Sequence, residues 1–438
     1  MTTRRDFVAG VLTAAASAAL PKRLLAATSA FDPESWASIR AQFELDPHAV
    51  NLSAFLLASH PAPVRHAIER HARALDQDAK RYLDHQRDGA LAEAAIRSAA
   101  GRYLHVRADE LALTESTTMG LALLYSGLQL SAGDEILTTT HDFYSTHVSL
   151  SLRALRTGAR IRKISLYRDA RHASVDEILA AVKTGIRTST RVLAITWVHS
   201  STGVKLPIPE IAAAVRAVNR ERAPADRVLI CVDGVHGFGI EAATPHELGC
   251  DFLVSGCHKW LFGPRGTGII WGRGEAWRHV LPTIPTFDLR AFPAWFAGAS
   301  VGASLDALPR AAAMTPGGFH SFEHRWALRE AFDFRQAIGA QRAAVRTHAL
   351  ATQLKEGLQA IKGVHLVTPT GSALSAGLVC FSVDGRDPSE IVARLYQRGR
   401  IVASVTPYAT PYVRLGPSIV NTPRHIERTI RAVHAVSA

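Results

Sequence analysis

Lys259 is the residue of this sequence that is best suited to nucleophilic chemistry. It lies in the window 255–260 (SGCHKW), after an apolar run that predicts a buried strand and before the glycine-rich window 263–268 (GPRGTG). A lysine at the end of a core strand is partly desolvated, which favours its neutral amine. A neutral amine can attack a carbonyl group and form a Schiff base. The ordinary alternative is a lysine that extends its charged end into solvent.

Asp233 is a second candidate, because it directly follows the preceding apolar run in the window 227–233 (RVLICVD). It precedes Lys259 by about one strand–connection–strand step. The carboxyl ends of strands in an open α/β sheet line one crevice, so both side chains can face the same ligand. A carboxylate beside a pyridine nitrogen keeps that nitrogen protonated, which makes pyridoxal phosphate an electron sink. The ordinary alternative for Asp233 is a turn or helix cap.

Hydroxyl groups cluster in the window 114–120 (TESTTMG), between a predicted strand over 110–114 and a predicted helix over 117–128. Capping alone explains one Ser or Thr at a helix start. Ser116 and Thr117 together, beside the free N–H groups of the helix N-terminus, suit a phosphate. The window therefore predicts a phosphate site upstream of the aspartate and the lysine.

The order of these windows resembles the class V aminotransferase-like enzymes, which are fold type I enzymes dependent on pyridoxal phosphate. The resemblance rests on the hydroxyl-rich helix start, on 233–237 (DGVHG) and on 255–268 (SGCHKWLFGPRGTG), and it extends from about residue 50 to the C-terminus. The GCHKW form is most similar to the isopenicillin-N-epimerase-like branch. The resemblance implies pyridoxal 5′-phosphate as the cofactor and Lys259 as the lysine that binds it covalently.

The same resemblance implies roles for the surrounding residues. Asp233 is expected to contact the pyridine nitrogen, and His236 is expected to lie near the ring oxygen O3′. Ser255 is a weaker match than the other phosphate ligands, since this sequence has Gly-Cys after it where many relatives have Gly alone. The expected phosphate ligands are Ser116, Thr117, His258 and Ser255.

Two further windows match family segments that contact the cofactor. The window 138–144 (TTTHDFY) resembles the segment that supplies the side chain stacked on the cofactor ring. We expect His141 and Phe143 to alternate onto one face of a strand, so the choice between them stays open. The window 197–203 (WVHSSTG) resembles the strand-end loop whose polar residue approaches the cofactor, and Ser200 is the positional match.

Arg414 is the candidate for substrate binding. The window 412–418 (YVRLGPS), followed by Asn-Thr at 421–422, resembles the C-terminal motif that binds a substrate α-carboxylate. A guanidinium can do this through two parallel hydrogen bonds. Cysteine desulfurases of the same class need a nucleophilic cysteine on the loop before this strand, and the loop over 402–409 has none. The sequence therefore argues against a desulfurase.

Apolar runs alternate with helical patterns along the chain, which is typical of a mostly parallel sheet covered on both faces. With the family resemblance this predicts an α/β fold: a fold type I large domain with a seven-stranded-type sheet and a smaller C-terminal α/β domain. A long helical pattern is expected over 323–361. The predicted divisions are a signal over 1–30, an N-terminal arm and cofactor-binding large domain over 31–310, and a connecting helix and small domain over 311–438.

The N-terminus has the features of a twin-arginine export signal. Paired arginines at positions 4–5 precede a weakly apolar stretch over 9–20 and small residues over 26–30. This pattern predicts a periplasmic location and the twin-arginine export machinery as a partner. The alternative is a frayed basic N-terminus on a cytosolic protein.

Composition excludes several other classes of protein. The 438 residues are 47% hydrophobic and 20% charged, which is ordinary for a chain that buries a sizeable core. The net charge of +12 comes from dispersed arginines, so no nucleic-acid partner is expected, whereas anionic small ligands are compatible with it. Four scattered cysteines and histidines without zinc spacing predict neither a disulfide framework nor a metal site.

The predicted function is that of an exported enzyme that acts at Cα of an amino-acid-like or peptidic substrate, as a homodimer by family resemblance. Transamination and epimerisation both remain open, because they differ only in where the Cα proton returns. Tailoring of a siderophore or another peptidic metabolite in the periplasm is a subsidiary hypothesis. The alternative from another class is a non-catalytic binding protein with the same fold.

Overall fold

Three sheets and sixteen α-helices make up residues 31–87 and 91–437, which are the residues that the computed structural model describes. The predicted export signal over 1–30 lies outside them. The strands are β1 (Val50–Asn51), β2 (Leu111–Thr114), β3 (Glu135–Thr139), β4 (Arg160–Ile164), β5 (Thr190–Thr196), β6 (Leu229–Asp233), β7 (Phe252–Gly256), β8 (Gly268–Gly272), β9 (Val364–Leu366), β10 (Val379–Val383), β11 (Ile401–Val402), β12 (Ser404–Val405) and β13 (Val413–Leu415). The helices are α1 (Trp36–Ala41), α2 (Ala62–Arg87), α3 (Leu91–Leu104), α4 (Thr117–Gly127), α5 (Tyr144–Thr157), α6 (Val175–Gly185), α7 (Ile208–Arg220), α8 (Pro245–Leu248), α9 (Phe292–Phe296), α10 (Val301–Asp306), α11 (Arg310–Ala313), α12 (Phe322–Trp326), α13 (Leu328–Ile338), α14 (Ala340–Gln359), α15 (Pro388–Gly399) and α16 (Pro423–Ser437).

The large domain is built on a seven-stranded sheet of order β2-β8-β7-β6-β5-β3-β4. Strands β3 to β7 pair in parallel, and β8 runs antiparallel to both of its neighbours. The mostly parallel α/β sheet that the sequence predicts is confirmed. In this arrangement β5, β6 and β7 are adjacent and end at the same edge.

Both faces of the sheet are covered, which explains why its strands are apolar at nearly every position. Along β5, Leu193 and Ile195 pack into one core cluster. Their neighbours Val192 and Ala194 pack into another cluster, on the opposite face. Since neither face meets water, the polar residues collect where the strands end.

The long helical pattern over 323–361 is three helices, α12, α13 and α14, and not one. Gly339 separates the last two helices with a φ of +84°, in the left-handed region that glycine adopts without a steric penalty. Helix α13 packs against α2 and α3 of the large domain, whereas α14 packs against α16 and β9. The two helices thus carry the chain from one domain to the other.

The smaller C-terminal domain has an antiparallel sheet of order β12-β13-β10-β9. The chain's N-terminal part also belongs to its core, since β1 pairs in parallel with β11 and Val50 and Leu52 are buried there. The division proposed between residues 310 and 311 stays a prediction. Within the described ranges, no helix combines the length and the apolar character needed to cross a membrane.

Gly237, in the turn after β6, offers a test of this packing. A Cβ on Gly237 would lie 2.2 Å from Cε3 of the buried Trp197, and a rigid indole cannot yield to it. We expect Gly237→Ala to lower the free energy of unfolding by about 1–3 kcal/mol, measured by thermal or urea denaturation. Gly371→Ala is the control, because no atom lies within 4 Å of its added Cβ. Equal stability of the two variants would contradict the close approach of Gly237 to the indole.

Candidate active site

Lys259 and Asp233 meet at the shared edge of two parallel strands. Asp233 is the last residue of β6, and Lys259 follows the end of β7 by three residues. Burial lowers the pKa of Lys259 to about 8, with the charge of Asp233 opposing this shift and that of Arg414 adding to it. Burial raises the pKa of Asp233 to about 6, against a hydrogen bond from the Val235 N–H to Oδ1 (3.0 Å) and the charge of Lys259. The site therefore holds a reactive amine and a buried carboxylate that interact electrostatically.

His236 lies next to the aromatic side chains of Trp260 and Phe55. It is buried, and its Nδ1 accepts a hydrogen bond of 3.4 Å from Nε1 of Trp260. Burial lowers its pKa well below the ordinary value, with Lys259 and Arg414 adding to the effect. The ring is therefore neutral, and with Nδ1 accepting it carries its hydrogen on Nε2. That hydrogen can be donated to an anionic oxygen of a bound ligand.

A phosphate cradle lies at the N-terminus of α4. The hydroxyl of Ser116 accepts from the Met119 N–H (3.1 Å) and caps the helix, and Oγ1 of Thr117 accepts from the Gly256 N–H (2.8 Å). Both hydroxyl hydrogens can still be donated, and the first N–H groups of the helix add positive potential. The cradle therefore presents donors to an anion.

Two observations beside the cradle fit a phosphate. Nδ1 of His258 is buried and has no hydrogen-bond partner among the residues that the structure describes. A Cβ on Gly256 would lie 2.8 Å from the His258 ring and 3.1 Å from Oγ1 of Thr117, so only glycine keeps this space free. An unpartnered buried nitrogen beside a helix N-terminus suits an anionic ligand. Ser255 is buried in β7, and its hydroxyl donates to the Gly256 carbonyl (3.0 Å), so its role as a phosphate ligand stays a prediction.

His141 and Phe143 do not alternate along a strand, so that expectation is wrong. Strand β3 ends at Thr139; His141 lies in the following turn, and Phe143 is the N-cap residue of α5. The ring of His141 stacks on Tyr167 with centroids 4.0 Å apart, and its Nε2 accepts from the Leu166 N–H (3.2 Å). Burial lowers the pKa of His141 to about 3, with His199 adding to the shift. The ring is thus neutral and oriented for stacking.

Arg414 joins the small domain to this site. It lies on β13 and is only 3% exposed. Its Nε donates to Oγ of Ser404 (3.2 Å), its Nη1 donates to the carbonyl of Ser200 (2.9 Å), and its guanidinium lies 4.6 Å from the centroid of the Phe55 ring. These contacts leave the hydrogens of Nη2 and one of Nη1 for a ligand. The fork that remains suits a carboxylate.

Several residues of this region were missed by sequence reasoning. Tyr408 bonds Ser200 through its hydroxyl (2.6 Å), and Phe55 lies beneath Arg414. Tyr167 bonds Nδ1 of His199 (2.9 Å) through its hydroxyl. Tyr408 lies in the loop before β13, and its place next to the Arg414 motif was a signal that it could reach the site. Nothing local in the sequence points to Phe55 or Tyr167.

The cysteines contribute no reactive thiol. All four, Cys231, Cys250, Cys257 and Cys380, are free and buried. Burial raises the pKa of Cys250 and of Cys380 to about 12, which keeps both as inert thiols. Among the described residues, no group of His, Cys, Asp and Glu has an arrangement that could hold a metal ion.

The sheet order, the lysine beyond β7 and the aspartate at the end of β6 define a fold type I enzyme that uses pyridoxal phosphate. A model of the aminotransferase class-V family matches residues 58–414, and the chain belongs to this family of pyridoxal-phosphate-dependent enzymes. The phosphate cradle and the amine, carboxylate and neutral imidazole around it fit this cofactor.

Two classes of relative resemble the chain in sequence. It is 27% identical over 407 residues to isopenicillin N epimerase of Amycolatopsis lactamdurans, a match that covers 92% of this chain and 99% of the relative. It is 26% identical over 341 residues to a probable cysteine desulfurase of Vibrio cholerae, covering 73% of this chain and 76% of the relative.

Solved structures share the fold at lower sequence identity. A mutant of C-DES with glycine covalently linked to the PLP cofactor superimposes with a TM-score of 0.77 at 21% identity, covering 90% of this chain and 98% of that chain. The apo cysteine desulfurase of Thermococcus onnurineus superimposes with a TM-score of 0.73 at 18% identity, covering 91% and 97%.

The lowered pKa of Lys259 gives a pH test of cofactor capture. With a pKa of about 8, the neutral amine is about one tenth of the population at pH 7 and about nine tenths at pH 9. We expect covalent capture of added pyridoxal phosphate by the cofactor-free protein to accelerate about tenfold between these values and then level off. Borohydride trapping followed by peptide mapping measures it. An adduct on Lys205, whose amine is paired with Glu241 (2.9 Å), or a rate still rising tenfold per pH unit above pH 9, would contradict this assignment.

Proposed function

We propose that this protein moves the Cα proton of an amino-acid-like or peptidic substrate, with epimerisation as the favoured outcome. The observation that carries the proposal is the buried position of Lys259, which interacts electrostatically with both Asp233 and Arg414. An amine, a carboxylate and a guanidinium so placed can serve proton transfer, cofactor protonation and carboxylate binding. Similarity to an isopenicillin N epimerase over nearly the whole of both chains supports epimerisation.

Each residue then has a defined role. Bound pyridoxal phosphate supplies an electron sink for the pair left at Cα when its proton is removed. Asp233 keeps the pyridine nitrogen protonated, and His236 donates to the ring oxygen. Lys259, as a general base with a pKa near the working pH, takes the Cα proton. Arg414 fixes the substrate by its α-carboxylate.

The remaining cofactor contacts are proposed from their placement. Ser116, Thr117 and His258 hold the phosphate at the N-terminus of α4. His141 stacks on the cofactor ring, since its neutral imidazole is already oriented by stacking on Tyr167. The Ser200 carbonyl accepts a hydrogen bond from Nη1 of Arg414, and this bond orients the guanidinium beside the cofactor.

Transamination is the second candidate, because one base, Lys259, is enough to carry a proton from Cα to the cofactor. Cysteine desulfuration is disfavoured. The loop before β13 carries no cysteine, and the chain's four thiols are buried with no exposed nucleophile among them. A screen of L- and D-amino acids and peptidic metabolites by the change in cofactor absorbance identifies the substrate; no spectral response to any of them would favour a non-catalytic binding protein.

The proposal also includes export to the periplasm and assembly as a homodimer. The paired arginines at positions 4–5 support export to the periplasm by the twin-arginine machinery, where tailoring of a siderophore or another peptidic metabolite would be a fitting task. A homodimer is supported by large apolar side chains exposed on the segment after β8. These include Trp295, Phe296 and Phe319.

Asp233→Ala tests the electron-sink role. The variant should still bind pyridoxal phosphate, since Lys259 and the phosphate cradle are intact. Its turnover should fall by about 100-fold or more, the scale of other preorganised electrostatic contributions. Cofactor content and kcat are measured on the same preparation. A near-normal kcat would mean that Asp233 is structural.

Arg414→Lys tests the carboxylate contact. An ammonium cannot reproduce the planar fork, so we expect KM for carboxylate substrates to rise about tenfold or more. Steady-state kinetics measure this, with the exposed Arg424→Lys as the matched control. If both variants keep the KM of the native protein, the substrate carboxylate is bound elsewhere.

A further inference from the structure

Tyr408 lies on the same small-domain hairpin as Arg414. Strands β12 and β13 pair antiparallel, with Ser404 opposite Arg414. The loop between them is closed at its base by two hydrogen bonds of 2.9 Å, from the Thr406 N–H to the Tyr412 carbonyl and from the Tyr412 N–H to Oγ1 of Thr406. The hairpin therefore places Tyr408 in the loop next to the strand that carries Arg414.

Both side chains converge on Ser200, at the end of β5. The Tyr408 hydroxyl and the Ser200 hydroxyl are 2.6 Å apart, and Nη1 of Arg414 donates to the Ser200 carbonyl (2.9 Å). The Tyr408 ring also meets Phe143 edge-on, with centroids 5.9 Å apart. The phenol thus lies beside the carboxylate-binding arginine and on the side of the site that carries the ring-stacking candidates.

The ionisation of the phenol complements that of the lysine. Burial raises the pKa of Tyr408 to about 12, opposed by the Ser200 hydrogen bond and the charge of Arg414. Tyr408 is therefore a protonated donor at neutral pH, whereas about one tenth of Lys259 is already a neutral acceptor at pH 7. His236 is a poor alternative donor to Cα, because the hydrogen bond from Trp260 holds its ring in place, three residues after Asp233.

We propose that Tyr408 is the second acid–base residue of the site, which exchanges a proton with the face of Cα opposite Lys259. This inference rests on the proposed Cα chemistry and selects epimerisation over transamination. The lysine comes from the large domain and the phenol from the small domain. In the proposed arrangement a substrate carboxylate bound to Arg414 would bring Cα between the two groups, so that each group would meet a different face of that carbon.

The proton transfers balance in both directions. The Cα–H bond breaks towards Nζ of Lys259, which takes the proton, and bound pyridoxal phosphate would accommodate the electron pair. The O–H bond of Tyr408 then breaks as a new Cα–H bond forms on the other face. The resulting phenolate is stabilised by the Arg414 guanidinium and the Ser200 hydroxyl, and one proton returned from Lys259 through solvent restores both groups.

The test is solvent deuterium exchange at Cα, followed by NMR on each enantiomer separately. The probes are the L- and D-forms of alanine, glutamate and phenylalanine, incubated with the holoenzyme in heavy water. The native protein should exchange both enantiomers of an accepted probe. Tyr408→Phe should exchange the enantiomer whose Cα–H faces Lys259 at its normal rate and the other at least about 100-fold more slowly.

Two controls separate a catalytic role from a structural one. Tyr412→Phe, in the same hairpin, should leave both exchange rates unchanged. Ser200→Ala keeps the phenol but removes its hydrogen-bond partner, and it should slow the same enantiomer by a smaller factor. Borohydride trapping on Lys259 and the thermal midpoint should be unaltered in Tyr408→Phe.

The outcomes distinguish the inference from the function on which it rests. Equal slowing of both enantiomers in Tyr408→Phe, or no slowing of either, would overturn the role of Tyr408 while leaving the Cα chemistry standing. Absence of exchange for every probe in native holoenzyme would overturn the proposed Cα chemistry itself, and the role of Tyr408 with it.

Discussion

The site depends on the cost of keeping the Lys259 amine charged in a crowded, poorly solvated space. Burial removes the water that would stabilise an ammonium, and Arg414 adds a second positive charge nearby. Asp233 restores only part of that stabilisation, because it is itself desolvated at the end of β6. A carboxylate, a guanidinium and an amine thus hold one another near the point at which a proton can move at neutral pH.

Ser200 connects the large domain to two side chains of the small domain. Its carbonyl accepts from Arg414 and its hydroxyl bonds Tyr408, so both small-domain groups are positioned by one large-domain residue. The hairpin that carries them is closed by two hydrogen bonds between Thr406 and Tyr412, which restrict the conformations open to the pair. Rigid groups lose little entropy when a ligand binds, and the geometry of the site is therefore set before substrate arrives.

The sequence predicts those site residues that stand where a buried strand ends. Asp233 and Lys259 follow apolar runs, and the topology of parallel strands brings such ends together, so their proximity needs no tertiary information. The prediction that His141 and Phe143 lie on one face of a strand was wrong, because β3 ends two residues before His141. A turn follows, and the side chains no longer alternate between two sheet faces. Ser255 carries a suitable hydroxyl, and its bond to the Gly256 carbonyl is a local contact that the apolar strand pattern does not encode. Phe55 lies beneath Arg414 across most of the chain length, a contact that no local pattern encodes.

The pairing of β1 with β11 has a consequence for how the chain can be made. The small-domain core combines Val50 and Leu52 with residues as late as Val436, so it needs segments that are nearly 400 positions apart in the sequence. During synthesis the large-domain sheet is complete once β8 has emerged, whereas the arm over 50–52 has to wait for the last helix before it can be buried. Assembly of the catalytic cleft thus follows the synthesis of α16, and a nascent chain that lacks this helix carries the lysine without the completed domain that would cover it.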